Sequence, residues 1–193
     1  SLDEDDLIVE AGTIHGVVGQ NGAGKSTIIK ILAGIYRRTS GDVSVFGKRL
    51  EQITPAAIEA EGVHFIHQDR LLVPTATVAE AIFLRNEPRV GPFINYRQMN
   101  RRASELLQQY FELDLNPRTL ISELSTAQQK IVQITRALAH DAKILVLDEP
   151  TAALVSREVE SLFSVLRRLK ADGLAIVFIS HYMSEILEIC DVV

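Results

Sequence analysis

Cysteine occurs once in the 193 residues, as Cys190. A lone cysteine excludes an intramolecular disulfide framework and a cysteine-based zinc site; Cys190 reads as a small packing residue. Long apolar runs are also lacking. The longest, such as residues 174–179, fall far short of the roughly 18 residues of a membrane-spanning helix. Asp3, Glu4, Asp5 and Asp6 carry the wrong charge for a signal peptide, so none is expected. Basic tracts are missing as well. Twenty-five acids against twenty bases leave a net charge of −5, which argues against a dedicated nucleic-acid binder. Local binding of a polyanion stays open, because a few lysines and helix N-termini suffice for one phosphate chain. Internal repeats and low-complexity stretches do not occur.

What is present is an ordinary globular composition, 47% hydrophobic and 23% charged. The length predicts one domain with a possible lobe, able to bury about 70% of its unfolded surface without staples. The chain opens on Ser1 and closes on Cys190-Asp191-Val192-Val193, so it is expected to be part of a longer polypeptide. Strand-like and helix-like runs alternate, which predicts an α/β fold with a mostly parallel sheet. Strands are expected at 14–18, 63–67, 144–147 and 174–179. The last two are continuous apolar runs, as in central strands covered on both faces. Residues 41–47 alternate between Gly41 and Gly47 and predict a half-buried edge strand. A helix is expected over 26–35, with Ile28, Ile31, Leu32 and Ile35 on one face. Residues 76–140 have few strand signals. There Met99, Ala103, Leu106, Leu107 and Tyr110 fall at helical spacing, Arg101 and Arg102 take the solvated face, and Pro88, Pro92 and Pro117 punctuate. This segment reads as a helical lobe inserted into the sheet domain.

Gly19-Gln20-Asn21-Gly22-Ala23-Gly24-Lys25-Ser26-Thr27 fits the phosphate-loop pattern G-x-x-x-x-G-K-[ST], between a predicted strand and a predicted helix. The glycines let backbone N–H groups turn toward phosphate oxygens, and the helix adds its positive end. Lys25 is a compact charge for the β- and γ-phosphates, and Ser26 offers a hydroxyl to Mg²⁺. The strand 144–147 runs into Asp148 and Glu149. Ligands of such sheets sit beyond the carboxyl ends of the strands. Asp148 therefore reaches the Mg²⁺ shell, and Glu149 can orient or deprotonate the attacking water. Against this stands a plain surface turn, since Asp-Glu-Pro is good turn chemistry. Ser125 with Gln128 three residues later is a capping box. A capped helix needs no further reason, yet the start of a helix also attracts phosphate.

Taken together, these residues resemble the ATP-binding cassette of ABC transporters. The phosphate loop, Gln68, Leu124-Ser125, Asp148-Glu149-Pro150-Thr151 and Ile179-Ser180-His181 stand in that family's order. The spacings fit too: 43 residues from Lys25 to Gln68, 23 from Ser125 to Asp148 and 33 from Asp148 to His181. The likeness covers nearly the whole chain. It is closer still to the first cassette of the fused two-cassette ATPases of bacterial monosaccharide importers of the ribose, galactose or xylose type. Ile66-His67-Gln68, the stretch from Thr77 to Leu84, and Ile179-Ser180-His181 with Glu188-Ile189-Cys190-Asp191 carry that likeness.

The resemblance implies a phosphate-loop NTPase: one nucleotide-binding domain over residues 1–193, with a mostly parallel central sheet, an antiparallel β edge and the helical lobe. It implies ATP and Mg²⁺, with Ser26, Gln68 and Asp148 as metal ligands. Glu149, His181 and Gln68 would be catalytic. Ser125, Thr126, Ala127 and Gln128 would close over ATP held by a second cassette, in the same polypeptide or a homodimer. Gln68 would sense a transmembrane permease, with Arg70, Leu71 and Leu72 lining its docking groove; a sugar-binding protein would act further off, and the cassette would sit on the cytoplasmic face of the plasma membrane. His15, His64, His67 and His140 match no catalytic position and are expected to be structural. The sequence departs from the family in three places. Thr126 and Ala127 replace the two glycines of Leu-Ser-Gly-Gly-Gln, Val155 replaces an acid, and no aromatic precedes Tyr36 to stack on adenine. A soluble cassette ATPase acting on ribosomes or nucleic acid, and a small-molecule kinase, remain alternatives.

Overall fold

The computed structural model describes residues 7–19, 25–67 and 72–193, and of Lys25 and Ser26 the backbone. Along the chain run β1 (Ile14–Val18), α1 (Lys25–Leu32), β2 (Ser44–Val45), β3 (Lys48–Arg49), α2 (Pro55–Ala60), β4 (Val63–Ile66), α3 (Val78–Phe83), β5 (Arg89–Val90) and β6 (Phe93–Ile94). There follow α4 (Tyr96–Phe111), a 3-10 turn at Ile121–Glu123, α5 (Thr126–Ala139), β7 (Ile144–Asp148), α6 (Ser156–Ala171), β8 (Ala175–Ser180) and α7 (Met183–Ile189).

Four strands form one parallel sheet in the order β1-β8-β7-β4. The apolar runs of β7 and β8 sit at its centre because both of their faces are covered. Leu145, Leu147, Ile176 and Phe178 point to one side, where α5, α6 and α7 supply Ile134, Leu166 and Ile186 among others. Val146, Val177 and Ile179 point to the other, against Ile29 of α1 and Ile58 of α2. The period of two along each strand thus splits one run between two cores. Phe163 and Phe178 meet edge-on with centroids 5.7 Å apart, a favoured aromatic geometry.

Residues 72–139 have a third apolar cluster, built on Val78, Ile82, Phe83, Met99, Ala103 and Leu107. α4 presents that face at helical spacing, as predicted, while Arg101 on the opposite face pairs with Glu105. α5 belongs to both bodies. Its Val132 enters this cluster, and its Ile134 and Ala137 enter the sheet core.

Two local expectations need correction. The helix predicted over 26–35 ends at Leu32. It buries Ile29 and Ala33, leaves Ile28, Ile31 and Leu32 half-covered and exposes Ile35. Gly34 stops it at φ +71°, a left-handed position that suits glycine, and a Cβ there would lie 2.6 Å from the Thr54 backbone. The edge strand predicted over 41–47 is shorter and paired differently. Ser44–Val45 pairs antiparallel with Lys48–Arg49 in a two-stranded ribbon separate from the central sheet. Phe46 and Gly47 both take positive φ, 50° and 77°, which is the tight hairpin turn that matches strand twist. A second short ribbon, Arg89–Val90 with Phe93–Ile94, interrupts the otherwise helical region.

Candidate active site

Parallel strands all end on the same side, so the strand order decides which exits become neighbours. The register sets Val18 beside Ser180 and Asp148 beside Ile179. β1 leads through Gly19 into the phosphate-loop motif; β8 leads into His181; β7 ends in Asp148 and Glu149; β4 leads through His67 toward Gln68. His181 therefore emerges between the loop strand and the acidic strand. Gln20, Asn21, Gly22, Ala23, Gly24 and Gln68 lie outside the described residues, as do the side chains of Lys25 and Ser26. Gly19 and Thr27 flank the motif at its two ends, Gly19 half-buried and Thr27 exposed.

At the acidic end, His181 Nδ1 lies 3.0 Å from Glu149 Oε1. An ionised carboxylate only accepts, so Nδ1 carries the hydrogen and Nε2 keeps its bonding capacity for another group. The pair is partly covered, with side chains 19% exposed for Glu149 and 33% for His181. The His181 ring leans on Tyr182, centroids 4.0 Å apart. Glu149 itself sits at φ +45°, a left-handed position that costs a non-glycine residue energy and is held only by its surroundings. Its N–H donates to the Ile179 carbonyl at 3.0 Å.

Two buried hydroxyls lie behind this pair. Thr151 is 5% exposed and Ser180 1%. Both donate to Glu185 Oε2, at 2.8 and 2.7 Å, and Ser180 Oγ also accepts from the Tyr182 N–H at 3.0 Å. Glu185 was not among the residues singled out from sequence. An acid in the first turn of a helix has an ordinary explanation in the helix dipole, and nothing local marks it further.

Asp148 ends β7 half-buried. Lys130 of α5 stands near it: burial lowers the Lys130 pKa, and the Asp148 carboxylate pulls the other way. Of the expected ligands of a divalent cation, only the Asp148 side chain lies among the described residues; its carboxylate is a hard oxygen donor of the kind that suits Mg²⁺.

Ser125 starts α5 as its N-cap. Its Oγ accepts from the Gln128 N–H at 3.3 Å, and Gln128 Oε1 accepts from the Ser125 N–H at 3.0 Å. The predicted capping box is present. Gln129 braces the turn from behind, its Nε2 donating to the carbonyls of Leu124 and Ile121. Leu124 is buried, whereas Ser125 and Thr126 are exposed and Ala127 and Gln128 are half-covered. Among the described residues, no hydrogen bond joins this turn to Glu149 or His181. Val155 caps α6 without a side-chain bond, and its N–H donates to Glu158 instead.

His64, His140 and Cys190 make no bond to Glu149 or His181 among the described residues. His64 and His140 have ring centroids 6.3 Å apart. Both titrate below the usual histidine range, chiefly because burial disfavours the charged ring. Cys190 is half-buried against Gly16, and burial with Asp191 nearby raises its thiol to about 11. A cavity of about 360 Å³ opens beside Leu72, Val73, Ala76, Ala81, Ile94 and Met99, with Glu80, Glu87 and Arg136 also on its walls.

The profile of the ABC transporter family matches residues 2–152. A ribose import ATP-binding protein, RbsA, of Cereibacter sphaeroides is 64% identical over 99% of this chain, which spans 38% of that relative's length. Among solved structures, a nucleotide-free ATP-binding cassette from an ABC transporter superposes with a TM-score of 0.81 at 26% identity, over 95% of this chain and 76% of that one. A dimeric cassette in a post-hydrolysis state, bound to ADP and Pi, superposes with a TM-score of 0.76 at 26% identity, over 93% of this chain and 79% of that one.

Proposed function

The chain belongs to the ABC transporter family, and on that premise we propose that it binds and hydrolyses ATP to drive import of a sugar through a membrane partner. The observation that carries this reading is the Glu149–His181 pair at 3.0 Å, at a strand end beside the exit of β1 into the phosphate-loop motif. ATP is the substrate. Gly19, Gln20, Asn21, Gly22, Ala23, Gly24 and Thr27 would cradle its phosphates, with Lys25 against the β- and γ-groups. Ser26, Gln68 and Asp148 would hold Mg²⁺, which when bound neutralises charge on the β- and γ-oxygens. Glu149 orients the attacking water and takes its proton. His181 would hold the Glu149 carboxylate through Nδ1–H and, with both ring nitrogens carrying hydrogen, donate Nε2–H to a γ-phosphate oxygen. Catalysis of this kind is mostly positioning and electrostatics.

The Ser125–Gln128 turn completes a different site. Its exposure supports contact with ATP held by a second cassette, in the same polypeptide or a second copy. The dimeric solved cassette supports such pairing. Residues 76–140 are then the lobe that carries this turn. The cavity lined by Leu72, one of the three residues expected in the docking groove, would receive the permease; Arg70 and Leu71, the other two, lie outside the described residues. Import of ribose or a similar sugar is supported by the likeness to the ribose import ATP-binding protein of Cereibacter sphaeroides. The chain would act as a peripheral subunit on the cytoplasmic face of the membrane, served indirectly by a sugar-binding protein; no helix among the described residues is long and apolar enough to cross a membrane.

The test is phosphate release by the full-length gene product with ATP and Mg²⁺. Glu149→Gln is expected to lower turnover by about 10²–10⁴-fold while ATP stays bound, seen by nucleotide retention on a sizing column. Undiminished turnover in Glu149→Gln would remove Glu149 from this role.

A further inference from the structure

Glu185 closes a ring of contacts around the acid–histidine pair. From Glu149 the chain runs through Pro150 to Thr151, whose hydroxyl donates to Glu185 Oε2 at 2.8 Å. The same oxygen accepts from Ser180 Oγ at 2.7 Å. Ser180 is joined by one peptide bond to His181, which returns to Glu149 at 3.0 Å. One carboxylate oxygen thus fixes the residue two after the acid and the residue one before the histidine. Neither hydroxyl has access to water as a substitute partner, because Thr151 is 5% exposed and Ser180 1%. The segment being fixed needs fixing. Glu149 sits in the left-handed region at φ +45°, where a non-glycine residue relaxes unless held from both sides. Its N–H bond to Ile179 holds one side, and Thr151 holds the other.

We propose that Glu185 is a positioning residue for ATP hydrolysis: by accepting from Thr151 and Ser180 together, it locks the Glu149 backbone and the His181 ring in the arrangement that the hydrolytic step uses. The proposal rests on the hydrolytic reading of Glu149 and His181 given above. The carboxylate touches neither nucleotide nor water in this scheme; it acts through the two hydroxyls. What matters is an oxygen acceptor at that point, not its charge. A misplacement of about 1 Å in a catalytic group costs on the order of 10²-fold in rate, and the loss of the acceptor leaves two buried donors that must move to find partners.

The experiment measures kcat and KM for ATP in the full-length gene product, beside thermal unfolding. Glu185→Ala is expected to lower kcat by about 10- to 100-fold with KM nearly unchanged. Glu185→Gln keeps a carbonyl oxygen in place and is expected to restore kcat to within about 3-fold of the parent. Glu188→Ala, on the same helix as Glu185, removes an ion pair with Arg167 of α6 and is expected to leave kcat alone. A folded Glu185→Ala with parental kcat overturns the proposal. So does a Glu185→Gln that falls as far as Glu185→Ala, or a loss matched by Glu188→Ala. Should Glu185→Ala fail to fold, Thr151→Val decides. It removes one donor at constant shape, and a fall in kcat supports the lock while an unchanged kcat overturns it. Glu149→Gln run alongside separates the two readings: if it turns over normally, the hydrolytic reading fails; if it is inactive and Glu185→Ala is normal, only the lock fails.

Discussion

The two ends of the candidate site are built in opposite ways. At the exits of β7 and β8, the important bonds join residues far apart in sequence. Glu149 meets His181 across 32 positions, and Thr151 meets Glu185 across 34. The hydroxyls that support this corner are buried. At the start of α5 the bonds are local. Ser125 and Gln128 satisfy each other across three positions, on an exposed turn. The corner is set by the fold and completed from within. The turn is finished by its own residues and displays its surface outward. A group that is locally satisfied and exposed is free to meet something outside the chain, and the comparison therefore teaches which half of the site expects a partner.

The largest effect should come from breaking the corner directly. His181→Ala removes the donor that holds Glu149 and, on the proposed reading, the group that would meet the γ-phosphate. Turnover is expected to fall by about 10²–10³-fold, with ATP affinity held, in steady-state phosphate release and equilibrium nucleotide binding. A parental turnover would mean that the 3.0 Å contact is incidental to the chemistry.

A middle-sized effect should come from pushing on the support of the corner. An added Cβ at Gly16 would meet Cys190 Sγ at 2.9 Å and Ile186 at 3.1 Å, so Gly16→Ala must displace α7, the helix that carries Glu185. A loss of about 1–3 kcal/mol in stability is expected, read by thermal or denaturant unfolding. No loss would mean that α7 yields freely and the corner is less rigid than the comparison requires.

How far this was visible in the sequence follows the same division. β7 and β8 were legible because burial on both faces leaves no alternation, only an uninterrupted apolar run. The Ser125 box was legible because it is local. The Glu149 position was legible as an acid closing such a run. Its pairing with His181 depends on the register of Asp148 beside Ile179, which no short window contains. Glu185 was invisible for the same reason. The sequence pattern carries the helix over 26–35 too far because the apolar spacing continues past Gly34, while the close approach of Thr54 that demands a glycine there is a tertiary fact. The alternation over 41–47 overstates the strand because Phe46, a residue that rarely takes positive φ, sits in the turn at φ 50°. The phosphate loop was the plainest signal in the sequence, and most of it lies outside the described residues.

The smallest effect separates capping from function. Val155 begins α6 without a side-chain cap and is 67% exposed. Val155→Asp supplies an acceptor for the first-turn N–H groups and is expected to raise stability by about 0.5–1 kcal/mol, a rise of roughly 1–4 °C in Tm for a chain of this size. An unchanged Tm would show that Glu158, which already accepts from the Val155 N–H, makes a second acceptor redundant.

The most direct measurement concerns Ser125. Aspartate caps a helix about as well as serine, so Ser125→Asp should leave the start of α5 folded while setting a negative charge where a triphosphate is to be gripped. Measured on the full-length gene product, the account predicts an unchanged unfolding midpoint together with a fall in ATP turnover of about 10²-fold. Unchanged turnover at unchanged stability would contradict it, and would leave Ser125 as a helix cap and nothing more.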